Sequence, residues 1–554
     1  MKKRSNGGAG DELLFLPLGG SGEIGMNLNL YGYAGKWLMV DLGVTFGDEG
    51  VPGADVITPD PAFIEEHRDD LVALVLTHAH EDHLGAVQYL WPRLRCPVYA
   101  TAFTASVLRR KLQETGLNGQ VPITEIPLSG RFTVEPFDVE LIRLTHSIPE
   151  PNALAIRTAA GTVLHTGDWK LDPEPLVGEV TDEASLRALS DEGVLALVGD
   201  STNALRHGQS GSEAKVRKAL IDLFGQCKGR IAVACFASNI ARLESIAAAA
   251  AAHDRHVALV GRSLWRMNEA ARENGYLAGT PDFLDEQQAG FVPRDKIVLI
   301  CTGSQGEPRA ALARIAADEH PHVVLETGDT VIFSSRVIPG NERAIHKIWN
   351  GLLHLGIEVI TDETHPNIHV SGHPARDELV QMYQWVRPKI AIPVHGEPQH
   401  LRAHAELARM CQVPHTLVPE NGTLIRLAPD GPSIVDHVPV GRLAVDGERL
   451  LPVDGPVMRG RSRLLWNGAL MATVVVDRKG RLATDPQISA PGLIDPESDE
   501  ELLEEINGSI QGTVAELGRK ADDQLREELR RRVRRLIKER TDKKPNVDIH
   551  LVRL

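Results

Sequence analysis

Three histidines and an aspartate, His78, His80, Asp82 and His83, stand within six residues of one another. The apolar run 71–76 leads directly into them, so the cluster begins where a strand is expected to end. In an extended chain His78 and His80 point to the same side, whereas Asp82 and His83 can be redirected by the start of a helix. Imidazole and carboxylate groups suit Zn²⁺, and burying several of them without a partner would be unfavourable. The spacing therefore predicts a metal centre.

Five further aspartates and histidines each follow an apolar run that has the length of a strand. They are Asp41, His146, Asp168, Asp200 and His395. Taken singly, an aspartate after a strand is more often a turn residue or a helix cap than a ligand. Together with the histidine cluster on a sixth strand, these strand ends predict one shared edge at which the polar side chains meet.

The elements that must position these residues change in character along the chain. Up to about residue 205, short strand-like runs alternate with turns, and a helix is expected at 87–91. From residue 206, longer helical segments such as 213–224 alternate with strand-like runs such as 256–260. This rhythm is typical of a parallel α/β domain. Strand-like runs of the first kind then return, for example at 389–394.

A third change comes near Gly441. The segment 464–476 predicts strands, 519–540 predicts a long charged helix, and 547–554 predicts a terminal strand. The resulting domain prediction is, in chain order, a disordered arm 1–10, the first part of a core domain 11–205, an inserted domain 206–374, a return of the core 375–440, a linker 441–463 and a C-terminal domain 464–554.

Composition limits the classes of protein to which the chain can belong. Apolar residues make up 42 % of its 554 residues, and no apolar run approaches the roughly 20 residues of a membrane helix. The basic start 1–4 lacks the apolar segment of a signal peptide, so a cytoplasmic protein with no membrane partner is expected. Five scattered cysteines favour neither a disulfide framework nor a thiolate metal site. The net charge of −15 argues against a broadly basic nucleic-acid-binding surface but leaves room for a locally basic channel.

The ordered set of candidate ligands from Asp41 to Asp168 resembles the metallo-β-lactamase superfamily. Asp200 and the later segments 371–373 (Ser-Gly-His) and 393–397 (Pro-Val-His-Gly-Glu) resemble the β-CASP subgroup of nucleases within it. More closely, three further segments resemble the bacterial ribonuclease J family: 18–27 (LGGSGEIGMN), 301–308 (CTGSQGEP) and 338–342 (IPGNE). The similarity runs densely from about residue 13 to about 440. One departure is Pro398-Gln399, where an aromatic and a basic residue are common, and another is the acidic charge balance.

The resemblance implies an α/β fold: a metallo-β-lactamase αββα sandwich, an inserted β-CASP α/β domain and a small C-terminal αβ domain. It implies two Zn²⁺ per subunit, with Mn²⁺ or Mg²⁺ as substitutes in vitro. The first zinc would be held by His78, His80 and His146, and the second by Asp82, His83 and His395. Asp168 would bridge them, and Asp41 would orient ligands by accepting imidazole N–H bonds.

The resemblance also implies hydrolysis of RNA phosphodiester bonds. Two metals would lower the pKa of a shared water toward neutrality, and the hydroxide would attack phosphorus. Asp82 or Asp168 would aim it, while His373, helped by Asp200, would contact the scissile phosphate or protonate the leaving 3′-oxygen. The products would carry a 5′-phosphate and a 3′-hydroxyl. A histidine at position 395 is typical of RNA nucleases in this subgroup, so RNA rather than DNA is the expected substrate.

Several turn residues are expected to contact single-stranded RNA. Ser371 and Gly372, before His373, could offer backbone N–H groups to a phosphate. Other candidates follow strands of the inserted domain and would face the cleft at the strand ends: Ser238, Asn239, Arg262, Ser304 and Gln305. The family resemblance implies a pocket for a 5′-monophosphate and therefore 5′-to-3′ exonuclease action, beside endonuclease activity in RNA decay and in rRNA and mRNA processing. Gly- and Ser-containing loops are common, however, and each of these could equally be only a turn.

The charged helix 519–540 has two interpretations, RNA binding or packing of an amphipathic helix on a partner subunit. A homodimer or homotetramer formed through the C-terminal domain is expected, and partners in an RNA-degradation complex are unidentified. Three other functions compete: a metallohydrolase acting on a small lactone or thioester, a DNA-processing nuclease of the same subgroup, and a non-catalytic RNA-binding subunit. The inserted domain and His373 argue against the first, His395 against the second, and the complete ligand set against the third.

Overall fold

A computed structural model describes residues 11–47, 50–338, 340–495 and 497–554. The expected disordered arm, 1–10, lies outside the described residues. The chain divides into two compact units. Unit 1 holds the described parts of residues 1–45 and 58–440, and unit 2 holds those of residues 46–57 and 441–554.

The strands, in chain order, are β1 Leu13–Gly19, β2 Leu28–Tyr33, β3 Lys36–Val40, β4 Thr45–Phe46, β5 Val56–Pro59, β6 Leu71–Val75, β7 Val98–Ala100, β8 Ile123–Glu125, β9 Arg131–Val134, β10 Phe137–Arg143, β11 Asn152–Thr158, β12 Gly161–His165, β13 Val194–Asp200, β14 Ile231–Ala234, β15 His256–Val260, β16 Ile297–Cys301, β17 Thr330–Phe333, β18 Glu358–Ile360, β19 Ile390–Val394, β20 His415–Thr416, β21 Thr423–Ala428, β22 Ser433–His437, β23 Arg442–Asp446, β24 Arg449–Pro452, β25 Ala469–Val476, β26 Gln487–Ser489 and β27 Asn546–Arg553.

The α-helices are α1 Ala62–Glu66, α2 Glu81–Leu84, α3 Val87–Leu94, α4 Ala102–Glu114, α5 Glu183–Glu192, α6 Glu213–Phe224, α7 Ile240–Ala252, α8 Arg262–Glu273, α9 Ala311–Ala316, α10 Glu342–His354, α11 Arg376–Val386, α12 Pro398–Met410, α13 Pro456–Asn467, α14 Glu500–Leu517 and α15 Asp522–Thr541.

Two sheets packed face to face form the core of unit 1. Their orders are β22-β21-β1-β2-β3-β6-β7-β8 and β20-β19-β13-β12-β11-β10-β9. One buried cluster contains side chains from both, for example Phe15 and Tyr31 from the first sheet and Phe137, Leu154 and Ile392 from the second. Alternating strands with one apolar face bury that face best against another sheet.

Helices cover the outer face of the second sheet. Apolar residues of α5, α11 and α12 pack in one cluster against residues of β11, β12 and β13. In α5, for instance, Leu186 and Leu189 are buried, and Asp182 caps the helix by accepting from the Ser185 amide. This arrangement confirms the predicted αββα sandwich.

The chain leaves the sandwich after β13 and returns at β19, and these two strands are parallel neighbours. Between them lies a separate parallel sheet of order β15-β16-β14-β17-β18, with helices packed on its apolar residues. Its strands are almost wholly buried, as expected for a parallel sheet covered on both faces. The predicted α/β insertion is therefore present, and α6 and β15 have the predicted bounds.

Unit 2 contains a three-stranded sheet, β26-β25-β27, that packs on α14 and α15. Unit 2 also holds most residues of a four-stranded sheet of order β24-β23-β5-β4. The helix α15 buries Leu525, Leu529, Val533 and Ile537 completely within its own domain. Its apolar face is therefore occupied, which removes the interpretation in which that face packs on a partner subunit.

Two predictions for the C-terminal part differ from the structure. The segment 464–476 was expected to form strands, but Leu464–Asn467 ends the helix α13 and only Ala469–Val476 is a strand. Pro456 at the first helical position and Gly468, with φ 67°, define the helix at its two ends. The expected linker 441–463 contains the hairpin β23–β24 and the first turns of α13.

The helix α14 was not predicted, and α15 begins at Asp522 rather than 519. Within the described residues, no helix combines the length and the apolar character that crossing a membrane requires.

Candidate metal centre

The ends of four strands bring the candidate ligands together. β6 leads into the histidine cluster, β10 is followed by His146, β12 by Asp168, and β19 by His395. The short helix α2 begins at Glu81 and carries Asp82 and His83, and the ring centroid of His83 lies 4.1 Å from that of His78. All seven ligand candidates fall into two compact groups that share Asp168.

The first group consists of His78, His80, His146 and Asp168. His80 Nδ1 lies 3.1 Å from His78 Nε2 and 3.0 Å from His146 Nε2. Both of these Nε2 atoms lie 3.9 Å from Asp168 Oδ2. Ligands on a tetrahedral zinc at 2.0–2.1 Å would stand about 3.3 Å apart, so the spacing matches one shared cation.

The second group consists of Asp82, His83, Asp168 and His395. His83 Nε2 lies 3.3 Å from Asp168 Oδ2 and 3.7 Å from Asp82 Oδ2. His395 Nε2 lies 3.3 Å from Asp82 Oδ2, and His395 Nδ1 lies 3.3 Å from Asp168 Oδ1. Asp168 therefore faces both groups, as a bridging carboxylate must.

The protonation states fit a metal. Burial, reinforced by His83 and His80, holds the pKa of His78 well below its ordinary value. Burial likewise lowers the pKa of His80 to about 4, and burial with His80 lowers that of His146. Nδ1 of His78 donates to Thr77 Oγ1, and Nδ1 of His146 donates to the Gly372 carbonyl. The Nε2 atoms of the two neutral rings therefore carry lone pairs, which are available to a cation.

Two further observations, both in the second group, also indicate a bound cation. Burial alone would lower the pKa of His83, but Asp168, Asp82 and Asp41 outweigh it and raise the pKa. The carboxylates thus favour positive charge where Nε2 faces them, and a metal ion supplies that charge. The buried Nε2 of His395 makes no hydrogen bond within the described residues. The residues therefore fit metal ions.

Asp41 contacts the candidate ligands on the side away from the two groups. It accepts from His83 Nδ1 at 2.7 Å and from the amide and hydroxyl of Thr77, each at 2.8 Å. Thr77 Oγ1 in turn lies 3.0 Å from His78 Nδ1. One carboxylate therefore fixes the ring of His83 directly and that of His78 through Thr77, leaving both Nε2 atoms toward the metal position. Asp41 and His395 both have left-handed backbones, with φ 61° and 53°, a strained conformation that clusters at functional sites.

The half-buried His373 and the buried Asp200 form a pair beside the two candidate metal groups. His373 Nδ1 donates to Asp200 Oδ2 at 2.8 Å and lies 3.7 Å from Asp168 Oδ2. Burial alone would lower the pKa of His373, but Asp200 and Asp168 outweigh it and raise the pKa to about 9. Cations bound to Asp168 would offset part of this effect, since they compensate its charge. Within the described residues, Nδ1 is the ring nitrogen that contacts Asp200, and Nε2 forms no hydrogen bond.

The loop that carries His373 is tied to the metal site by backbone and side-chain contacts. His146 Nδ1 donates to the Gly372 carbonyl at 2.5 Å. Asn203, three residues after Asp200, donates to Ser371 Oγ at 2.7 Å and to the His373 carbonyl at 3.0 Å. A Cβ on Gly372 would lie 2.7 Å from His146 Cε1, so only glycine permits this approach.

A fully buried ion pair fixes the other end of this loop. Arg242 binds both oxygens of Glu213 at 3.0–3.2 Å, and Nη1 also contacts Ser334 Oγ at 2.6 Å and the Ile368 carbonyl at 3.5 Å. The Glu213 amide donates to Asp172, which pairs with Lys170 at 3.1 Å. These charges join the strand end near Asp168 to the loop that leads to His373.

The residues predicted to contact RNA differ in exposure and in whether their side chains already form hydrogen bonds within the protein. Ser371 and Gly372 lie beside His373, but the Ser371 hydroxyl is already bonded to Asn203. Asn239 caps α7, and Gln305 bonds to the Arg336 carbonyl and the Ile338 amide, so both side chains are used internally. Of the remaining three, Ser304 is buried, Ser238 is half-buried, and Arg262 is exposed at the start of α8.

Some residues of the site were missed by the sequence analysis. Asn27 lies in a segment quoted for its family resemblance, and its Nδ2 stands 3.1 Å from His83 Nε2. Asn203 could have been suspected from its position just after Asp200. The pair Glu213–Arg242 carries no local signal, because its members are 29 residues apart on two different helices.

Four family models match successive parts of the chain. They are the metallo-beta-lactamase superfamily at 27–223, the ribonuclease J beta-CASP domain at 228–352, the Zn-dependent metallo-hydrolase RNA specificity domain at 356–416 and the ribonuclease J C-terminal domain at 456–554.

Ribonuclease J of Sinorhizobium meliloti is 48% identical over 514 residues, which cover 92% of this chain and 91% of that protein. Ribonuclease J of Thermus thermophilus is 34% identical over 556 residues, 98% of this chain and 96% of that protein. Among solved structures, a protein of unknown function from Enterococcus faecalis V583 matches with a TM-score of 0.53 at 16% identity. The match covers 75% of this chain and 100% of that one, and it shows a shared fold alone.

The sandwich, the histidine–aspartate groups at its edge and the inserted parallel sheet define a metal-dependent hydrolase of the metallo-β-lactamase superfamily with a β-CASP domain. Sequence identity to ribonuclease J proteins over nearly the whole chain identifies one family within this class. The chain belongs to the ribonuclease J family. It is accordingly a metal-dependent ribonuclease with RNA as its substrate.

Proposed function

We propose that the protein degrades single-stranded RNA from a 5′-monophosphate end in the 5′-to-3′ direction, that it also cuts internally, and that it uses two zinc ions per subunit. The observation that carries this proposal is the shared position of Asp168. It faces two groups of nitrogen and oxygen donors and lies 3.7 Å from His373 Nδ1. The setting we propose is mRNA decay and rRNA processing in the cytoplasm.

The proposed zinc ligands are those predicted from the sequence. His78, His80 and His146 would hold one ion, Asp82, His83 and His395 the other, and Asp168 both. The donor set favours zinc because neutral imidazole and carboxylate dominate it, although Mn²⁺ or Mg²⁺ could substitute in vitro. When bound, the ions supply Lewis acidity to the scissile phosphate and activate a water molecule.

The chain's own residues then divide the remaining work. Asp82 or Asp168 orients the attacking water. The water gives up one proton to solvent as its oxygen forms a bond to phosphorus and the bond to the 3′-oxygen breaks. His373 donates a proton from Nε2 to that leaving oxygen, and Asp200 holds the ring in register through Nδ1. The products are a 5′-phosphate and a 3′-hydroxyl. Ser371 and Gly372 contribute backbone N–H groups to a phosphate beside His373.

We further propose the domain boundaries given by the sequence: the core at 11–205 and 375–440, the β-CASP domain at 206–374 and the C-terminal domain at 464–554. The inserted sheet, with strands from His256 to Ile360 and β14 at Ile231–Ala234, lies inside the second range. Assembly into a homodimer or homotetramer is proposed through the C-terminal domain. Met471, 47% exposed on the open face of its three-stranded sheet, supports a contact there.

The test is cleavage of a 5′-monophosphate RNA labelled at its 3′ end, with zinc content measured on the same samples. Wild type is expected to shorten the RNA progressively from the 5′ end, with additional internal cuts on RNA whose 5′ end is blocked. His80→Ala should lose metal and activity, whereas His373→Ala should keep both metals and lose activity. His354→Ala, an exposed histidine at the end of α10, is the matched control.

Chelator should abolish cleavage by wild type, and added zinc should restore it. Intact RNA in the presence of fully zinc-loaded wild type would contradict the proposal. So would full activity of His373→Ala, which would remove the assigned proton donor.

A further inference from the structure

The end of unit 2 at which α13 and α15 terminate carries an exposed tryptophan and a group of cations. We propose that this surface, defined by Trp466, Arg534, Arg535, Lys538 and Lys543, binds single-stranded RNA outside the active site. The inference rests on RNA as the substrate of the protein. All residues of the proposed surface belong to unit 2. The surface would hold RNA, whereas the candidate metal centre that would cleave it lies in unit 1.

The ion pairs of α15 sort its cations into two sets. Five of its eight arginines and lysines pair with carboxylates within hydrogen-bond or ion-pair distance: Arg526, Arg530, Arg531, Arg532 and Arg540. The other three are Arg534, Arg535 and Lys538, and they form no ion pair within the described part of the chain. In a protein of net charge −15, these three neighbouring cations thus lack an ion-pair partner among the described residues.

The unpaired cations share the outward side of the helix. Leu525, Leu529, Val533 and Ile537 are fully buried on the inward side. Arg534, Arg535 and Lys538 are all exposed, and one helical turn, about 6 Å along the axis, separates Arg534 from Lys538. Phosphates are the groups that satisfy closely spaced exposed cations, and RNA presents them in series.

Trp466 adds a stacking surface at the same end of the unit. Its side chain is 72% exposed, and that of Leu465 is 63% exposed. Lys543, just after α15, donates from Nζ to the Trp466 carbonyl at 3.1 Å, and the Lys544 amide donates to Asn467 Oδ1 at 2.9 Å. The chain that follows the basic helix is therefore fixed to the backbone of Trp466 and to the side chain of Asn467. An exposed aromatic ring with neighbouring cations is the combination that binds unpaired bases and their phosphates.

A cavity of about 510 Å³ adjoins this tryptophan. Leu465 and Trp466 line it together with Gly47 and residues 51–55. Its volume lies within the range of small-molecule sites, so it has room for a base stacked on the indole. Apolar walls of Val51 and Pro52 favour a flat ring over a charged group at this point.

Charge decides between RNA and a second copy of the chain as the occupant. A two-fold symmetric contact places the same patch of each copy against the other. Arg534, Arg535 and Lys538 of one copy would then lie near their own counterparts, which disfavours the contact. RNA brings the opposite charge.

The test is binding of a labelled single-stranded RNA of 30 nucleotides to the full-length protein, with chelator present so that the RNA stays intact. The variant R534A/R535A/K538A should weaken binding at least tenfold and reduce the slope of log affinity against log salt by about 2, near 0.7 per phosphate contact. The variant R526A/R530A/R531A, which removes three paired cations from the same helix, is the matched control and should change both quantities far less.

Trp466→Ala should weaken binding by about tenfold, the usual effect of losing one base–aromatic stack, while Trp466→Phe should retain most of the affinity. Equal losses for the two arginine-containing triple variants would overturn the proposal, because they would reflect net charge alone. Unchanged binding with a lower mass by light scattering for Trp466→Ala would also overturn it and would identify a subunit interface.

These outcomes are separable from the proposed function. If wild type cleaves RNA and neither surface variant affects RNA binding, only the proposed RNA-binding surface is contradicted. Wild type that binds RNA through this surface yet leaves it intact when zinc-loaded contradicts only the proposed nuclease activity.

Discussion

Replacing Arg242 by methionine is expected to destabilise unit 1 by about 3–5 kcal/mol, the usual effect of removing one partner of a buried ion pair. The side chain of Arg242 is fully buried, and its guanidinium binds both oxygens of Glu213. Methionine fills a similar volume but leaves the Glu213 carboxylate buried without a cation. It also removes the donors to Ser334 and to the Ile368 carbonyl.

The effect should depend on pH in a defined direction. Burial alone would raise the pKa of Glu213, but Arg242 and Lys170 outweigh it and lower the pKa. A carboxyl group with a lowered pKa stabilises the fold above its unfolded pKa of about 4.3, and this contribution disappears as pH falls through the folded pKa. In R242M the main cation is gone, so the pKa of Glu213 rises and protonation relieves part of the penalty. R242M should therefore be more destabilised relative to wild type at pH 8 than at pH 5.

The assay is urea unfolding of wild type, R242M and the double variant E213Q/R242M. Each unfolding curve gives the free energy of unfolding and its dependence on urea concentration. The double variant should recover more than half of the lost stability, because an amide needs no cation. A loss below about 1 kcal/mol for R242M would refute the reasoning. So would a double variant as unstable as R242M, since the uncompensated carboxylate would then not be the cause.

Three further outcomes follow from the site. His395→Ala should bind about one metal ion per subunit instead of two, because it removes a donor from the second group only; unchanged metal content, with His354→Ala as control, would remove His395 from the ligand set. Asp200→Asn should lower kcat roughly 100-fold with little change in KM, because His373 loses its orienting carboxylate; a normal kcat would show that the pair has no part in the reaction. Gly372→Ala should reduce metal content and activity at least tenfold, since its Cβ would lie 2.7 Å from His146 Cε1. The comparison is Gly508→Ala in α14, where a Cβ meets nothing within 4 Å, and equal activity of the two variants would argue against the close approach.

The candidate ligands could be proposed from the sequence because most of them follow a strand, and Asp82 and His83 begin the short helix after one. A cluster such as 78–83 carries its own local spacing, and single residues such as Asp168 and His395 follow apolar runs whose ends must meet at one sheet edge. The family resemblance then supplied the fold class and the pairing of His373 with Asp200. The structure agrees with this arrangement because strand order, rather than loop conformation, decides which side chains converge.

What the sequence could not predict depends on contacts between distant segments. Arg242 reads as an ordinary helical arginine, and only the packing of α6 on α7 reveals its partner Glu213. The residues Leu464–Trp466 look like the start of a strand, yet they end α13, because an apolar run of this length has no period that separates a strand from a helix. The sorting of the α15 cations into paired and unpaired sets is likewise visible only once their neighbours are placed.

The insertion between β13 and β19 has a consequence for synthesis of the protein. The first group of donors is complete once Asp168 has been made, but His395 of the second group follows more than 200 residues later, after the entire inserted sheet. β1 must also wait for its partner β21, near the end of unit 1. At about 5–20 residues per second, a ribosome needs more than 10 s to cross this interval. With the proposed ligand set, a nascent chain would hold an incomplete metal centre while it remains tethered to its own messenger RNA. The order of the strands would then delay RNA cleavage until most of the protein has been translated.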